Sequence, residues 1–195
     1  MASAHTQTPE FWVFGYGSLL WKVDFPVEER LVGVVKGYTR RFWQASIDHR
    51  GTPEHPGRVV TLIPASPEED VLGIAYRAPL VDVDRVIAHL NNREKGGYEK
   101  FQVLFHPLQA GMSPFNVDIY VGRHDNPFFV LNEDLEVTAQ RIATAKGPSG
   151  TNAEYFFQLM ASLRNLDQSH KDLYLEALEA AIIKIQLAKG PPHEP

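Results

Sequence analysis

The 195-residue sequence contains no cysteine. This absence excludes disulfide bonds, catalysis by a thiolate and metal sites built on thiolate ligands. An apolar run of about 18 residues, long enough to cross a membrane as a helix, is also missing. The formal net charge is -5 and no stripe of basic residues is present, which argues against nucleic acid as the main partner. With 44% hydrophobic and 22% charged residues, the chain has the composition of an ordinary globular protein.

The first ten residues are polar and offer little to a hydrophobic core, so we expect residues 1–10 to form a disordered lead-in. They lack the apolar segment of a secretory signal peptide, and we expect a cytoplasmic protein without membrane attachment. The remaining length suits one domain, expected over residues 11–190. No heptad pattern indicates an oligomer, and the oligomeric state stays open.

Residues 11–21, FWVFGYGSLLW, form the most distinctive stretch of the chain. Its first half is apolar and aromatic, which is typical of a buried strand, and the turn Gly15–Ser18 then frees the backbone to present several N–H groups. The spacing does not fit a dinucleotide-binding motif, because Leu20 replaces the third glycine, or a P-loop, because Lys22 is out of register. A nucleophile elbow is absent too, so Ser18 is interpreted as a hydrogen-bonding residue. An ordinary strand-to-loop turn remains the alternative.

The rest of the sequence predicts a strand-rich front followed by a helical back, which indicates one α+β domain. Apolar side chains at helical spacing predict a helix capped by Asp82 that ends near Asn92 or Arg93, before Gly96 and Gly97. Further strands are predicted at residues 31–35, 41–46, 59–63, 71–76, 101–106 and 117–121. Further helices are predicted at residues 133–146 behind a possible Asn132 cap, after the capping box Thr151–Glu154, and at residues 171–189.

Three polar stretches carry candidate chemistry. Glu94 is followed by two glycines and Tyr98, and partial burial there would raise its pKa towards the range of a general base, although a solvated surface glutamate is the common alternative. Glycines and serine at 147–150 lead into a helix start, which suits either an anion site or a well-capped helix.

The third stretch is the polar loop at residues 48–58. His49 and His55 lie in a loop broken by prolines, which does not fix the positions of two metal ligands. A catalytic triad cannot be predicted from Ser46, His49 and Asp48, because they are too close in sequence. A loop held by internal hydrogen bonds is the simpler interpretation. Its Arg50 or Arg58 is a candidate for binding a substrate carboxylate.

Taken together, these stretches resemble the ChaC family of γ-glutamylcyclotransferases, which are specific for glutathione. The resemblance covers roughly residues 11–190, and the motifs occur in the family's order. It is carried by Trp12–Lys22, Arg41–Gln44, Asp48–Pro53, Pro56–Val59, Arg93–Tyr98 and Gly147–Gly150, followed by Asn152, Glu154 and Tyr155.

The resemblance implies an α+β fold with a small mixed β-barrel flanked by helices. It places the family's catalytic glutamate at Glu94 and a nearby tyrosine at Tyr98. It places γ-glutamyl binding in the turn, at Val13, Phe14, Gly15, Tyr16, Gly17, Ser18 and Leu19. The roles of Asp48, Arg50 and Tyr155 stay open.

The implied reaction is an intramolecular aminolysis that converts glutathione into 5-oxoproline and cysteinylglycine, without metal or cofactor. Glu94 would take the proton of the attacking amine, since a free α-amine has a pKa of about 7.7–8.0. Three alternatives remain: a cyclotransferase for other γ-glutamyl compounds, a non-catalytic γ-glutamyl-binding regulatory protein, and a metal hydrolase.

Overall fold

The computed structural model describes residues 10–94, 97–122 and 124–188. Of the predicted lead-in, residues 1–9 lie outside the described part, and Glu10 is exposed and outside any helix or strand. The predicted tail, residues 190–195, lies outside it as well. None of the helices described in these ranges is long and apolar enough to cross a membrane.

Five strands close into a mixed barrel in the order β1-β5-β2-β6-β7. Their neighbours pair antiparallel, except that β1 meets β7 in parallel where Val13 faces Asp118. The barrel strands are β1 (Trp12–Gly15), β2 (Glu29–Lys36), β5 (Asp70–Arg77), β6 (Tyr98–Pro107) and β7 (Phe115–Gly122). A second, two-stranded sheet joins β3 (Tyr38–Ser46) to β4 (Gly57–Pro64), with an irregularity between Arg41 and Gln44. The strands β8 (Lys146–Gly147) and β9 (Gly150–Thr151) form a short hairpin.

The helices are α1 (Val83–Arg93), α2 (Leu135–Thr144), α3 (Asn152–Leu166) and α4 (Leu173–Ala188). The predicted helix before Gly97 is confirmed, and Gly97 itself has a φ of 84°, a left-handed conformation that suits glycine and turns the chain from α1 towards β6. Asp82 occupies the predicted cap position of α1, but its side chain makes no capping hydrogen bond and pairs with Arg85 instead.

The predicted Asn132 cap of α2 is wrong. The helix starts at Leu135, and the side chain of Asp134 accepts a hydrogen bond from the N–H of Glu136. Glu133 is not helical, because its carboxylate binds Arg58 of β4. Half of the predicted capping box of α3 forms: Thr151 accepts from the N–H of Glu154 at 3.1 Å, while the Glu154 carboxylate contacts Arg50.

β1 is buried on both faces, which explains its unbroken apolar sequence. Trp12 and Phe14 belong to the main core, which also contains residues of α2, α3 and α4. Val13, on the opposite face, packs in a second cluster with Val86 and Leu90 of α1. The strand is thereby held from both sides, and the turn that follows it has a fixed position.

Candidate active site

The turn after β1 continues into one turn of 3₁₀ helix, Ser18–Leu20, and is anchored by buried side chains. The hydroxyl of Tyr76 donates to the carbonyl of Leu19 at 2.7 Å, and the guanidinium of Arg40 donates from Nε to the carbonyl of Tyr16 at 3.0 Å. The hydroxyl of Tyr16 in turn donates to the carbonyl of Tyr120 at 2.6 Å. These bonds fix the direction of the backbone around Gly17.

In this turn the N–H of Leu20 donates to the carbonyl of Gly17 at 2.9 Å. The first N–H groups of a helical turn have no partner within it, so those of Gly17, Ser18 and Leu19 can serve a bound anion or carbonyl. A side chain at position 17 would collide with Val60, since an added Cβ would lie 2.8 Å from its Cγ2. The close packing of the turn against Val60 therefore favours glycine at position 17.

Glu94 follows the last residue of α1, and its N–H donates to the carbonyl of Leu90 at 2.9 Å. Its side chain is 21% exposed. Burial raises the pKa of this carboxyl above its ordinary value; the Arg93 guanidinium opposes the rise, and the Asp24 carboxylate adds to it. A carboxylate in these surroundings is a better base than one in water, and it remains close to the turn.

Arg93 connects the turn to α1. Its Nη2 donates to the hydroxyl of Ser18 at 2.5 Å, and its Nη1 donates to the carboxylate of Asp24 at 2.8 Å. Its Nε lies 3.4 Å from Oε1 of Glu94. One guanidinium thus holds the serine of the turn beside the glutamate that the sequence singled out.

Tyrosines supply neutral polar groups around Glu94. Burial raises the pKa of Tyr98 well above its ordinary value, and the nearby Tyr16 and Glu94 add to the rise. Burial also raises the pKa of Tyr155 to about 12. The Tyr98 hydroxyl donates to the carbonyl of Val60 at 2.9 Å. Both hydroxyls are therefore protonated at neutral pH, and neither is suited to act as the base.

Two adjoining cavities meet at Ser18, Glu94, Tyr98 and Tyr155, which line both of them. The smaller cavity, lined by the turn after β1 and called the inner recess below, has a volume of about 60 Å³; the larger, called the outer cavity, has about 440 Å³. The inner recess brings together eight of the nine residues predicted for the site: Phe14, Gly15, Tyr16, Gly17, Ser18, Leu19, Glu94 and Tyr98. Val13 does not line either cavity, because its side chain packs towards α1.

Several residues of the cavities were not singled out from the sequence. Trp21 and Gln44 line the outer cavity, and Tyr120 lines the inner recess. Trp21, Gln44 and Arg93 belong to motifs of the family resemblance, but the sequence alone assigned them no role. Trp21 reaches the site because it directly follows the 3₁₀ turn, whereas Gln44 and Tyr120 reach it through contacts between distant strands, for which a single sequence contains no local signal.

Some residues of the polar loop at 48–58 line the outer cavity, and others bind neighbouring parts of the fold. Arg50 lines the outer cavity, whereas Arg58 is buried against Glu133, with Nε and Nη2 donating to its two carboxylate oxygens at 2.8 and 2.5 Å. The hydroxyl of Ser46 accepts from the N–H of Arg50 at 2.9 Å, and His49 meets Ser149 at 3.2 Å. Within the described ranges, no group of three or more His, Asp or Glu side chains is placed to hold a metal ion.

The closed mixed barrel, its flanking helices and the recess beside the turn define a protein of the γ-glutamylcyclotransferase-like fold class. A solved structure of a glutathione-specific γ-glutamylcyclotransferase from yeast superposes with a TM-score of 0.87 and is 31% identical, covering 93% of this chain and 99% of its own.

The sequence comparisons agree with the fold. A model of the ChaC-like protein family matches residues 11–185, and the chain belongs to this family. "Glutathione-specific gamma-glutamylcyclotransferase 1" of Danio rerio is 40% identical, over 88% of this chain and 88% of that protein. "Glutathione-specific gamma-glutamylcyclotransferase" of Schizosaccharomyces pombe is 37% identical, over 92% and 96% of the respective chains.

Proposed function

We propose that this protein degrades glutathione by cyclising its γ-glutamyl group, with release of cysteinylglycine. The observation that carries the proposal is the position of Glu94, a largely buried carboxylate that lines the same recess as Gly17, Ser18 and Leu19 of the turn. The family relationship supports the substrate, because the relatives named above are described as acting specifically on glutathione.

In the proposed reaction the α-amine of the γ-glutamyl residue attacks its own γ-carbonyl carbon. Glu94 takes a proton from the attacking nitrogen, the new C–N bond closes a five-membered lactam, and the bond to the cysteine nitrogen breaks. Glu94 then returns the proton to the departing amine. Its raised pKa suits both steps, since a base that must also act as an acid works best near the operating pH.

The turn holds the reacting group. A γ-carbonyl oxygen that accepts from the N–H groups of Gly17, Ser18 or Leu19 is stabilised as negative charge develops on it. Such donors contribute about 3–4 kcal/mol each in known cases. Well-oriented intramolecular attack contributes about 7–11 kcal/mol more through proximity, so the mechanism needs only groups present in the chain.

The first experiment incubates the purified protein with glutathione in the presence of a chelator and identifies the products by mass spectrometry. We expect equal amounts of 5-oxoproline and cysteinylglycine, and loss of nearly all turnover in Glu94→Gln. Asp84→Asn, an exposed change in α1, the helix that Glu94 follows, is the matched control and should retain full activity. Glutamate in place of 5-oxoproline would mean hydrolysis, and an active Glu94→Gln would remove Glu94 as the base.

A further inference from the structure

The inner recess, about 60 Å³, adjoins the outer cavity of about 440 Å³, so a γ-glutamyl group bound beside the turn places the rest of the substrate in the outer cavity. In glutathione that remainder ends in a carboxylate, the only full charge on the leaving-group side. A carboxylate entering a partly enclosed cavity loses hydration and requires a positively charged partner there. The question is which cation of the outer cavity supplies it.

Three permanently charged basic residues line the outer cavity: Lys22, Arg50 and Arg93. Arg93 is already engaged by Ser18, Asp24 and Glu94. Lys22 is exposed, so a carboxylate gains little from it against competing water. Arg50 has a side chain that is 12% exposed, which makes it the cation of this wall best shielded from solvent.

Arg50 is held in place from one side only. Its Nη1 donates to the carbonyl of Thr151 and to the carboxylate of Glu154, each at 3.1 Å, and its guanidinium carbon lies 5.7 Å from the centre of the Tyr155 ring. Among the residues that the structure describes, none accepts a hydrogen bond from its Nε or Nη2. A guanidinium edge with two parallel donors matches a carboxylate in bidentate geometry.

The backbone around Arg50 is built for this position. Gly150 has a φ of 108°, and an added Cβ there would lie 2.9 Å from Nη1 of Arg50 and too close to the Glu154 carboxylate. Ser46 holds the N–H of Arg50, and the carbonyl of His49 accepts from the N–H of Ser149 at 3.0 Å. The loop at 48–58 and the hairpin before α3 therefore meet closely to fix one side chain.

We infer that Arg50 binds the C-terminal carboxylate of the dipeptide leaving group and thereby selects glutathione over γ-glutamyl compounds that lack this carboxylate. This inference rests on the proposed function and assigns the outer cavity to the leaving group. It makes Arg50 a specificity-determining residue, whereas Glu94 and the turn act on the γ-glutamyl group that all such compounds share.

The test compares glutathione with its C-terminal glycine amide, which keeps the reacting group and removes only the charge. In the unchanged protein we expect kcat/KM for glutathione to exceed that for the amide by about ten- to a hundredfold, the range of a charge-assisted hydrogen-bonded pair. Arg50→Met should lower kcat/KM for glutathione by a similar factor, leave the amide nearly unaffected and so abolish the discrimination. Arg50→Lys, which keeps the charge without the fork, should retain part of it.

Turnover of the amide by Arg50→Met also shows that the variant is folded, so a general structural defect is recognised by a loss on both substrates. Lys22→Met is the matched control and should leave the ratio between the two substrates unchanged. Equal rates for glutathione and its amide in the unchanged protein, or loss of discrimination in Lys22→Met rather than Arg50→Met, would overturn the inference. Failure of the unchanged protein to form 5-oxoproline would instead contradict the proposed function.

Discussion

Glu94 is both largely buried and proposed to act as a base. Its burial disfavours the charged form, yet the proposed reaction needs that form to accept a proton. Arg93, at 3.4 Å, limits the conflict by favouring ionisation, so the carboxyl is a base that is available without being tied up by a full bidentate pair. The raised pKa is thus a balance between burial, which raises it, and the Arg93 guanidinium, which lowers it.

The same pKa shift predicts how stability depends on pH. Because the pKa of Glu94 is higher in the folded than in the unfolded protein, its contribution is fully present below the unfolded pKa and is lost as the pH rises through the folded pKa. Glu94→Gln should therefore match the unchanged protein in thermal stability at pH 4 and exceed it at pH 8. Thermal unfolding of both proteins across this range measures the difference, and a larger advantage at acid pH would contradict it. Asp84→Asn should show no such trend.

At the scale of secondary structure elements, the first residue of α3 also connects this helix to β4. Asn152 is fully buried; its amide nitrogen donates to the carbonyl of Arg58 at 2.7 Å, and its amide oxygen accepts from the N–H of Arg58 at 2.5 Å. The Asn152 amide thus pairs with the backbone N–H and carbonyl of Arg58 in β4, as a neighbouring strand would. This joins the sheet that carries Arg58 to the segment that carries Gly150 and Tyr155.

Replacement of this amide tests the connection. Asn152→Ala leaves a buried N–H and a buried carbonyl without partners and should lower the free energy of unfolding by about 2–4 kcal/mol. Asn165→Ala, on the exposed face of the same helix, should change it by less than about 0.5 kcal/mol. Chemical denaturation of the two variants gives both values. Similar losses in both variants would show that the Asn152 amide does not hold β4.

How far the elements follow from the sequence depends on where their stabilising contacts lie. α1 is predictable because its apolar face repeats along the chain, and its end is marked by Gly97. The cap of α2 is not predictable from the sequence, because the Glu133 carboxylate binds Arg58, which is 75 residues distant along the chain. The hairpin β8–β9 is equally invisible, since two-residue strands have no periodicity. At the candidate site, the motif residues Gly15–Leu19, Glu94 and Tyr98 were named from the sequence, whereas Gln44 and Tyr120 join the site through long-range packing.

Across the whole molecule, the two hydrophobic clusters are connected. The main cluster and the one that includes α1 share three partly buried neighbours, Leu20, Val32 and Leu166. β1 contributes alternate residues to both. Loosening one cluster therefore exposes part of the other, and we expect the described fold to behave as one cooperative unit.

Two core substitutions test this cooperativity. Leu90→Ala opens the cluster at α1, and Leu159→Ala opens the main cluster; each leucine is fully buried, and each change should cost about 2–5 kcal/mol. In both variants the unfolding transitions followed by circular dichroism and by tryptophan fluorescence should coincide. A variant that loses its helical signal at one denaturant concentration and its fluorescence signal at another would show that the clusters unfold separately.

The outer cavity is assembled from chain segments near residues 18, 46, 93 and 150. During translation, at about 5–20 residues per second, the Ser18 turn leaves the ribosome on the order of ten seconds before Tyr155 is made. A nascent chain can pair its first strands long before all the residues that line the outer cavity have been synthesised. Catalytic competence should consequently appear late and abruptly, close to the end of synthesis, and an incomplete polypeptide released earlier would consume no substrate.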